Sequence, residues 1–272
     1  MQAPTLWNPP SGTLGRILAE TMDRVSVLRT RRNALESAAR RAERAPSFAA
    51  VLRGSDVAII AEVKRRSPSK GEINATMGAA EQARAYKAGG ARGISVLTEG
   101  AHFGGSPEDL EEIRAAVSVP LLKKDFHVDP LQLLEARVLR ASALLLIARA
   151  LNPAQLTELA SFASDIGLEV LIEVRDEREL ERALQTTAPM IGVNSRNLET
   201  LELDPRVCEL VLPLIPPDRI AIYESGVKER ADVERAAGLG ADAVLVGSAV
   251  SAAHSPSVAV RALTGVDRPG RG

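Results

Sequence analysis

Two charged residues follow an apolar run that is typical of a buried strand, the first such run in the chain. Residues 57–60 are apolar, and Glu62 and Lys64 follow two positions apart. Because side chains alternate along a strand, both charges are expected on the same face. Burying a carboxylate and an ammonium there is unfavourable unless they pair or bind a ligand. The two residues therefore form either a structural ion pair or part of a binding site.

A polar turn follows these two residues, in the order Ser67-Pro68-Ser69-Lys70-Gly71. It supplies hydroxyls, a cation and backbone N–H groups, which together suit an anionic ligand. An ordinary polar turn beside a structural ion pair explains this stretch equally well when it is taken alone. The rest of the chain has to decide between the two interpretations.

Eight apolar runs rich in β-branched residues alternate with helix-like segments from residue 57 onward. The runs cover residues 57–63, 93–97, 119–122, 143–147, 169–172, 190–193, 219–222 and 243–246. Four intervening segments begin with a capping residue and a proline, which is a strong helix-start signal: Ser106-Pro107, Asp129-Pro130, Asn152-Pro153 and Asp204-Pro205. Glycines in residues 88–91 and 238–241 are typical of helix ends just before a strand.

This alternation predicts an α/β protein built from parallel βα units, and eight such units close a (β/α)8 TIM barrel. An open doubly wound sheet is the alternative, but no G-x-G-x-x-G follows the first strand. Residues 1–10 predict a loose proline-rich arm, and helical spacing predicts helices over residues 14–28 and about 31–53. We therefore expect an N-terminal helical extension in residues 1–53, packed on a barrel in residues 54–272, as one structural domain.

The apolar runs share one asymmetry, because the polar residues beside them collect at the C-terminal ends of the apolar cores. These residues are Glu62, Lys64, Glu99, Lys124, Asp125, Glu173, Asn194, Arg196, Glu224, Ser225, Gly247 and Ser248. In barrels of this kind the loops at that end form the active site. Several charges at one mouth cost desolvation free energy, so stability does not explain them and they predict an enzyme.

Small residues end the last two strands, in Glu224-Ser225-Gly226 and in Gly247-Ser248. They let backbone N–H groups approach a ligand, and the N-terminus of a following helix adds positive potential. Loops after the seventh and eighth strands often bind phosphate in this fold. Glycines that only permit tight turns explain either site alone, but the two sites together favour a phosphorylated substrate.

Composition argues against several classes of protein. The 272 residues carry a net charge of −1 and only 3% aromatic residues, which argues against partners such as nucleic acid or a membrane surface. Cys208 is the single cysteine, and His102, His127 and His254 are too dispersed for a metal signature. We expect a cytoplasmic protein without metal or cofactor, in which Cys208 has a packing role.

Eight stretches of the chain, taken together, resemble the indole-3-glycerol phosphate synthase family of tryptophan biosynthesis. In order, they are IIAEVKRRSPSKG, ISVLTEGAHFGGS, PLLKKDFHVD, LLLIARAL, VLIEV, IGVNSRNLETLELD, ESGV and LVGS. The resemblance runs from about residue 14 to residue 248, and the KDF, NSRNL and ESG elements on strand ends make it specific. A helical extension before the first strand is also a feature of the family.

The resemblance implies a carbon–carbon lyase that acts on 1-(2-carboxyphenylamino)-1-deoxyribulose 5-phosphate. Ring closure, decarboxylation and dehydration would give indole-3-glycerol phosphate, without metal or organic cofactor. The expected partner is therefore a small phosphorylated molecule, and we expect a monomer or a weak homodimer.

The family's catalytic roles fall on five residues of this sequence. Lys124 would be the general acid that protonates the ribulose carbonyl oxygen, and Lys64 would contact the substrate carboxylate and share acid duty. Glu173 would serve the proton-removal or dehydration step. Glu62 and Asn194 would hold the anthranilate portion and orient the catalytic groups.

The resemblance also implies a set of substrate-binding residues. They are Arg196 and Glu224 in the charged network, Ser67, Gly226, Gly247 and Ser248 at the phosphate with Ser225 beside them, and Phe103, Phe126, Leu145 and Leu198 around the aromatic ring.

Four residues depart from the family pattern. Arg140 and Ser142 stand where a Gly-Ala-Asp joint is usual before the fourth strand, and Tyr223 stands where a small residue is usual. His127 after KDF is also less typical. We expect these departures to affect substrate affinity more than the reaction.

Two rival functions are less consistent with the sequence. Phosphoribosylanthranilate isomerase is another phosphate-binding barrel, but it uses a cysteine base at the end of the first strand, where this chain has Glu62 and Lys64. A catalytically silent barrel that serves as an interaction module is the second rival, and the charges at the strand ends count against it.

Overall fold

Eight parallel strands close into a barrel, as the sequence predicts. The computed structural model describes residues 7–68, 71–73 and 77–270, so Ser69 and Lys70 of the polar turn lie outside the described residues. The barrel strands are β1 (Ala58–Val63), β2 (Gly93–Leu97), β3 (Leu121–Lys124), β4 (Ala143–Ile147), β5 (Glu169–Val174), β6 (Met190–Asn194), β7 (Ile220–Glu224) and β8 (Ala243–Val246). Each strand pairs with its neighbours in chain order, and β1 closes the ring against β8.

Helices cover the outside of the barrel and precede it. They are α1 (Gly12–Thr30), α2 (Arg32–Arg41), α3 (Phe48–Leu52), α4 (Ala79–Gly89), α5 (Pro107–Ala116), α6 (Pro130–Val138), α7 (Pro153–Asp165), α8 (Glu177–Leu184), α9 (Arg206–Val211), α10 (Arg230–Gly238), α11 (Ser248–Ser251) and α12 (Pro256–Leu263), with short 3₁₀ turns at Ala148–Ala150 and Leu212–Leu214. In the part of the chain that the structure describes, no helix has the length and apolar character needed to cross a membrane.

The predicted helix starts are confirmed at three of four positions. Ser106, Asp129 and Asn152 cap α5, α6 and α7, each with proline as the first helical residue. The fourth prediction is wrong by one residue, because α9 begins at Arg206 and Pro205 stands before it in a turn. The Asp204 carboxylate still accepts the Arg206 backbone N–H, at 3.1 Å, so its role at the helix start remains.

Two predicted boundaries are corrected. The third strand, predicted at 119–122, lies at Leu121–Lys124, because the ladder with β2 continues through the charged residues to the pair Leu97 and Lys124. The helix predicted over about 31–53 is divided into α2 and α3. Pro46 disfavours helical geometry in the residue before it, and α3 restarts where the Glu169 carboxylate accepts two backbone N–H groups, from Phe48 at 2.8 Å and Ala49 at 2.7 Å.

One hydrophobic core joins the extension to the barrel. Leu14 and Ile17 of α1 and Phe48 of α3 are buried in the same cluster as the barrel strands. Phe48 packs beneath Gly93, where a Cβ atom would lie 2.7 Å from the ring. This shared core supports the proposal that residues 1–53 and the barrel in 54–272 form one structural domain.

The unusual joint before β4 is accommodated by local geometry. Arg140 takes the left-handed conformation, with φ of 58°, as Gly240 does with φ of 88° before β8. The Ser142 hydroxyl accepts the Leu121 N–H at 3.2 Å, just as the Asp242 carboxylate accepts the N–H of Ala221 at 2.7 Å. The serine therefore supplies the acceptor that an aspartate supplies elsewhere in the barrel, at the end opposite the polar mouth.

Candidate active site

The C-terminal ends of the strands surround a cavity of about 370 Å³, called here the mouth cavity. Its lining includes fifteen of the sixteen residues to which the family resemblance gives a role: Glu62, Lys64, Ser67, Phe103, Lys124, Phe126, Leu145, Glu173, Asn194, Arg196, Leu198, Ser225, Gly226, Gly247 and Ser248. The exception is Glu224, which is fully buried beneath Lys124. Residues from all parts of the barrel sequence thus meet at one place.

Two lysines and two glutamates form a charged cluster at the base of the cavity. The Lys124 Nζ atom lies 2.8 Å from Glu224 Oε2 and 3.5 Å from Glu62 Oε2. The Lys64 Nζ atom lies 2.7 Å from the other oxygen of Glu62. Glu62 therefore bridges the two ammonium groups. The predicted ion pair of the first strand forms, and the same two residues line the mouth cavity.

Glycines on neighbouring strands leave the space that this cluster occupies. A Cβ atom at Gly247 would collide with the Glu62 carboxylate and lie 2.8 Å from Lys64 Nζ. A Cβ atom at Gly192 of β6 would likewise collide with the carboxylate of Glu224. Gly192 is therefore a site residue that the sequence reasoning missed, because nothing around it distinguishes it from an ordinary strand glycine.

Electrostatics keeps the ammonium of Lys124 charged. Burial alone would lower the pKa of Lys124, but the nearby carboxylates of Glu224, Glu62 and Glu173 outweigh it and raise this pKa above its usual range. Burial would raise the pKa of Glu62, yet Lys64 and Lys124 together lower it. The cluster thus holds a proton donor, Lys124, beside the ionised carboxylate of Glu62.

Glu173 has the opposite electrostatic environment. Burial, followed by the negative charge of Glu224, raises the pKa of Glu173 to about 8, although Lys124 and a hydrogen bond with Asn194 oppose the shift. The Asn194 side chain is itself oriented, because its Oδ1 atom accepts the Arg196 backbone N–H at 2.9 Å. At neutral pH most Glu173 side chains are therefore protonated in the free protein, so this carboxyl can both give and take a proton.

An apolar wall faces the charged cluster. The rings of Phe103 and Phe126 lie 6.1 Å apart at an interplanar angle of 38°. The predicted residues Leu145 and Leu198 also belong to the wall. It is completed by apolar side chains that the sequence reasoning did not select: Leu97, Ile147, Leu201, Leu203 and Leu245. The cavity therefore pairs a flat apolar region with a charged floor, which suits a substrate that carries an aromatic ring and an acidic group.

Contacts between the first two loops bring Ser67 and Phe103 to the same cavity. The Arg65 guanidinium binds both oxygens of Asp109, at 2.5 and 2.6 Å, at the start of α5. The Arg66 backbone N–H donates to the Phe103 carbonyl at 3.2 Å. These contacts hold the loop after β1 against the loop after β2.

The small residues after β7 and β8 lie at one side of the cavity. Ser225 and Gly226 both have positive φ, of 69° and 86°, and Gly247 and Ser248 lead into the short helix α11. Lys228 lines the same side, and the sequence reasoning missed it although it directly follows the ESGV stretch. Hydroxyls, exposed backbone and one ammonium therefore converge where an anionic group can bind.

Arg196 is placed differently from the sequence expectation. It lines the mouth cavity, but its Nη1 atom donates to the Leu201 carbonyl at 2.7 Å, rather than to the carboxylates of the cluster. This contact folds the loop after β6 over the cavity and brings Leu198 and Leu203 to its wall. Among the described residues, Arg196 therefore shapes the apolar wall rather than joining the charged network.

A second, buried network lies behind Lys124. Lys123 points away from the cavity and is fully buried, with its Nζ atom 3.3 Å from Asp125 and 3.2 Å from Glu135. The Asp125 carboxylate also accepts two hydrogen bonds from Arg24 of α1, at 2.9 and 3.2 Å. Burial would raise the pKa of Asp125, but Lys123 and Arg24 lower it well below its usual range. This network attaches the N-terminal extension to the strand that carries Lys124.

His127, the less typical residue after KDF, belongs to the same network. Its Nδ1 atom lies 2.7 Å from the Leu145 carbonyl, and Nε2 lies 3.4 Å from Lys123 Nζ. Burial, together with the charge of Lys123, lowers the pKa of His127 to about 3. A neutral ring that donates from Nδ1 thus connects β3 to the cavity-lining residue of β4.

We expect replacement of Arg24 by methionine to destabilise the fold by about 1–3 kcal/mol. Hydrogen bonds to charged groups contribute about 1.5–3 kcal/mol, and solvent screens part of the interaction between Arg24 and Asp125. Urea unfolding followed by circular dichroism measures the change. Arg29→Met is the matched control on α1, since Arg29 pairs with Asp129 through a side chain that is 55% exposed. Equal stability losses in the two variants would contradict the role assigned to the Arg24–Asp125 pair.

Cys208 and Tyr223 lie outside the cavity. The Cys208 thiol is buried and donates to the Val193 carbonyl at 3.4 Å, and burial raises its pKa to about 12. Tyr223 is buried beside it, on the strand face opposite that of Glu224, and burial raises its pKa to about 12 as well. Cys208 therefore has the packing role that the sequence predicts, and Tyr223 does not reach the mouth cavity.

Comparison with known proteins agrees with this geometry. A profile of the indole-3-glycerol phosphate synthase family matches residues 14–263. Indole-3-glycerol phosphate synthase of Mycolicibacterium gilvum is 49% identical over 223 residues, which cover 81% of this chain and 82% of that protein. Indole-3-glycerol phosphate synthase 2 of Streptomyces coelicolor is 44% identical over 258 residues, covering 94% of this chain and 100% of that protein.

A solved structure of a differently named enzyme shares the fold. Thiamine phosphate pyrophosphorylase from Pyrococcus furiosus superimposes with a TM-score of 0.56 and 16% sequence identity, over 76% of this chain and 93% of that chain. At this level of identity the likeness shows the barrel architecture alone.

Proposed function

The chain belongs to the indole-3-glycerol phosphate synthase family, and we propose that the charged cluster of its mouth cavity carries out the ring closure, decarboxylation and dehydration of 1-(2-carboxyphenylamino)-1-deoxyribulose 5-phosphate. The protein is a carboxy-lyase of tryptophan biosynthesis. The observation that carries the assignment of residues is the position of Lys124, an ammonium held between Glu224 and Glu62 beneath an apolar wall.

Lys124 is the general acid of ring closure in this proposal. Attack of an aromatic carbon on the ribulose carbonyl develops negative charge on the carbonyl oxygen, and a nearby ammonium stabilises and protonates that oxygen. The carboxylates of Glu224 and Glu62 fix the Lys124 Nζ atom in place. The apolar wall of Phe103 and Phe126 positions the aromatic ring of the substrate above it.

Lys64 and Glu62 prepare the substrate for the loss of carbon dioxide. Lys64 Nζ lines the cavity and is paired with only one oxygen of Glu62 among the described contacts, so it can also bind the substrate carboxylate. Glu62 holds both lysines at a fixed separation. Once the ring has closed, departure of carbon dioxide restores aromaticity and leaves Lys64 free for the next substrate.

Glu173 serves dehydration, the last step. Its protonated carboxyl gives a proton to the departing hydroxyl group, and the resulting carboxylate takes the proton from the neighbouring carbon. Asn194, through its hydrogen bond, orients this carboxyl. A group with a pKa near the operating pH suits both transfers.

The phosphate is proposed to bind beside Ser67, Gly226, Gly247 and Ser248, where Lys228 adds a positive charge. These residues and the apolar wall line the same cavity, so one substrate can reach both regions. A monomer or a weak homodimer is the proposed active form. A cytoplasmic location is part of the proposal, and the presence of a single, buried cysteine, Cys208, is consistent with it.

We expect inorganic phosphate to compete weakly with the substrate, raising KM while leaving kcat unchanged. The physical reason is that phosphate alone makes the contacts of one end of the substrate and lacks those of the aromatic ring. The measurement is initial rate against substrate concentration, followed by indole fluorescence, with chloride at matched ionic strength as the control. Equal inhibition by chloride and phosphate would count against a phosphate site at these residues.

The isomerase alternative finds no support in the geometry. It requires a cysteine base at the end of the first strand, and Cys208 lies outside the barrel instead, against the Val193 carbonyl.

The decisive experiment is direct. Incubation of the protein with 1-(2-carboxyphenylamino)-1-deoxyribulose 5-phosphate is expected to produce indole fluorescence and one carbon dioxide per substrate. The absence of both products would refute the proposed reaction.

A further inference from the structure

The proposed reaction consumes one proton in every turnover. The substrate enters with an ionised carboxylate, and that group leaves as neutral carbon dioxide. Lys124 gives a proton to the carbonyl oxygen and is left as a neutral amine, whereas Glu173 gives one proton to the departing hydroxyl and takes one back from carbon. The missing proton must come from solvent, yet the substrate fills the mouth cavity through which solvent would otherwise reach the buried cluster.

A second cavity reaches Glu173 from another side. This side cavity has a volume of about 130 Å³ and is bounded by Glu173, Asn194, Arg149, Arg175, Asp176 and Glu179. Glu173 and Asn194 line both cavities, and the exposed Asp176 also lines the side cavity. A water molecule needs only about 10–15 Å³ of such space, and the polar lining offers hydrogen-bond partners.

Glu179 is the buried carboxyl in this side cavity that the proposed mechanism leaves unused. It is 7% exposed, and its Oε2 atom accepts the Arg175 backbone N–H at 2.9 Å. Its negative charge is close enough to raise the pKa of Glu173. Glu179 therefore lines the same cavity as Glu173, with one oxygen anchored to the backbone.

We propose that Glu179 and a water molecule in the side cavity form a proton relay that returns a proton from solvent to Lys124, through Glu173, while substrate or product occupies the mouth cavity. Glu173 gives its proton to the neutral amine of Lys124, on which its charge acts directly. Glu179 gives its proton to the water molecule, that water gives a proton to the resulting Glu173 carboxylate, and the Glu179 carboxylate then takes a proton from solvent. No atoms are gained or lost, and one proton moves inward. The inference rests on the proposed roles of Lys124 in ring closure and of Glu173 in dehydration.

The charges around the relay permit proton exchange near neutral pH. Burial and the nearby carboxylate of Asp176 raise the pKa of Glu179 to about 7, opposed by Arg182 and Arg149. The groups that face Glu173 are Glu224 of β7, Lys124 of β3, Asn194 of β6 and Glu179 of α8. Two carboxyls with pKa values of about 7 and 8 can pass a proton in either direction at small cost in free energy.

The variant that tests the relay is Glu179→Gln. Its side-chain oxygen can still accept the Arg175 N–H, so the start of α8 is preserved, but the amide cannot carry a proton. Glu177→Gln is the matched control, an exposed residue in the same turn of the same helix, outside the lining of the side cavity. Thermal unfolding of both variants checks that the fold is retained.

The measurement is a single turnover in dilute buffer, with product followed by indole fluorescence and proton uptake by a pH-indicator dye. In the unmodified protein and in Glu177→Gln, uptake is expected to keep pace with product. In Glu179→Gln we expect proton uptake to lag behind product. In a separate multiple-turnover assay of the same variant we expect kcat to fall about tenfold with KM unchanged, and small buffers such as imidazole to restore part of the rate. This loss lies below the usual range for direct acid–base groups, about 10²–10⁴-fold, because solvent can still recharge Lys124 after product leaves.

Simultaneous uptake and product formation in Glu179→Gln, or a rate loss that small buffers do not restore, would overturn the relay. Glu173→Gln separates this outcome from failure of the proposed function. If Glu173→Gln is inactive while Glu179→Gln behaves normally, the relay alone is wrong. If Glu173→Gln turns over normally, the role of Glu173 and the relay that depends on it are both wrong.

Discussion

Replacing Lys124 by alanine is expected to lower kcat/KM by about 10²–10⁴-fold, which is the usual contribution of a positioned general acid or base. The carbonyl oxygen then develops its negative charge without an ammonium beside it. Removal of the lysine also leaves Glu224, which already has one oxygen atom without a hydrogen-bond partner among the described residues, without its cation. We therefore expect lower stability as well, and the rate should be referred to the folded fraction measured by circular dichroism.

Lys87→Ala is the control for this experiment. Lys87 is an exposed lysine of α4 that contacts Ser118 at 3.1 Å and lies outside the mouth cavity, so it should keep full activity. A kcat/KM for Lys124→Ala within threefold of the control would remove the assignment of Lys124 as the acid. Lys64 would then be the remaining candidate for that role.

Replacing Glu173 by glutamine is expected to lower kcat by about 10²–10⁴-fold, because the amide retains the shape of the carboxyl but neither gives nor takes a proton. Single-turnover indole fluorescence measures the loss. Glu158→Gln, a change of the same kind at an exposed position of α7, is the control and should leave the rate unchanged. A rate for Glu173→Gln close to that of the control would exclude a proton-transfer role.

The same variant is expected to be more stable than the unmodified protein at pH 8. The pKa of Glu173 is raised in the folded state from an ordinary value of 4.5 to about 8. Below pH 4.5 both the folded and the unfolded state hold the proton, so Glu173 does not make the free energy of unfolding depend on pH there. Between these two values the unfolded state releases the proton and the folded state retains it, so stability falls as pH rises. Glutamine does not titrate and avoids this loss.

Thermal unfolding of both proteins from pH 5 to pH 8 measures this effect, and the difference in Tm should widen with pH. A difference that stays constant would mean that Glu173 ionises in the folded protein as readily as in the unfolded chain. The cluster would then be stabilising this carboxylate rather than resisting its charge. A variant that gains stability while it loses activity is what we expect when burial keeps a catalytic carboxyl neutral.

The positions of most site residues could be predicted because the fold places strand ends together. Alternating apolar runs, helix caps and proline indicate βα units through local preferences, and a closed barrel puts its eight C-terminal strand ends around one mouth. Lys64, Lys124 and Glu173 line the same cavity for this reason. The boundary of β3 was missed because its last two residues are lysines, which a search for apolar strands excludes.

Contacts between distant residues could not be predicted in the same way. Arg196 was expected in the charged network and instead binds the Leu201 carbonyl, a choice that depends on the path of the whole loop. Gly192 and Lys228 carry no local signal of their place in the site. Glu179 has the sequence position of an ordinary helix-start residue, and only the side cavity connects it to Glu173.

The amino-acid sequence by itself determined the eight βα units, the end of the barrel that carries the polar residues and the family to which the chain belongs. The tertiary structure alone decided that Lys124 pairs with Glu224, one hundred residues away, and that Lys123 points outward to Asp125 and Glu135. The physical reason is the distance along the chain over which each interaction acts. Periodicity and caps act over a few residues, whereas pairing and desolvation of charges depend on which surfaces meet when the barrel closes.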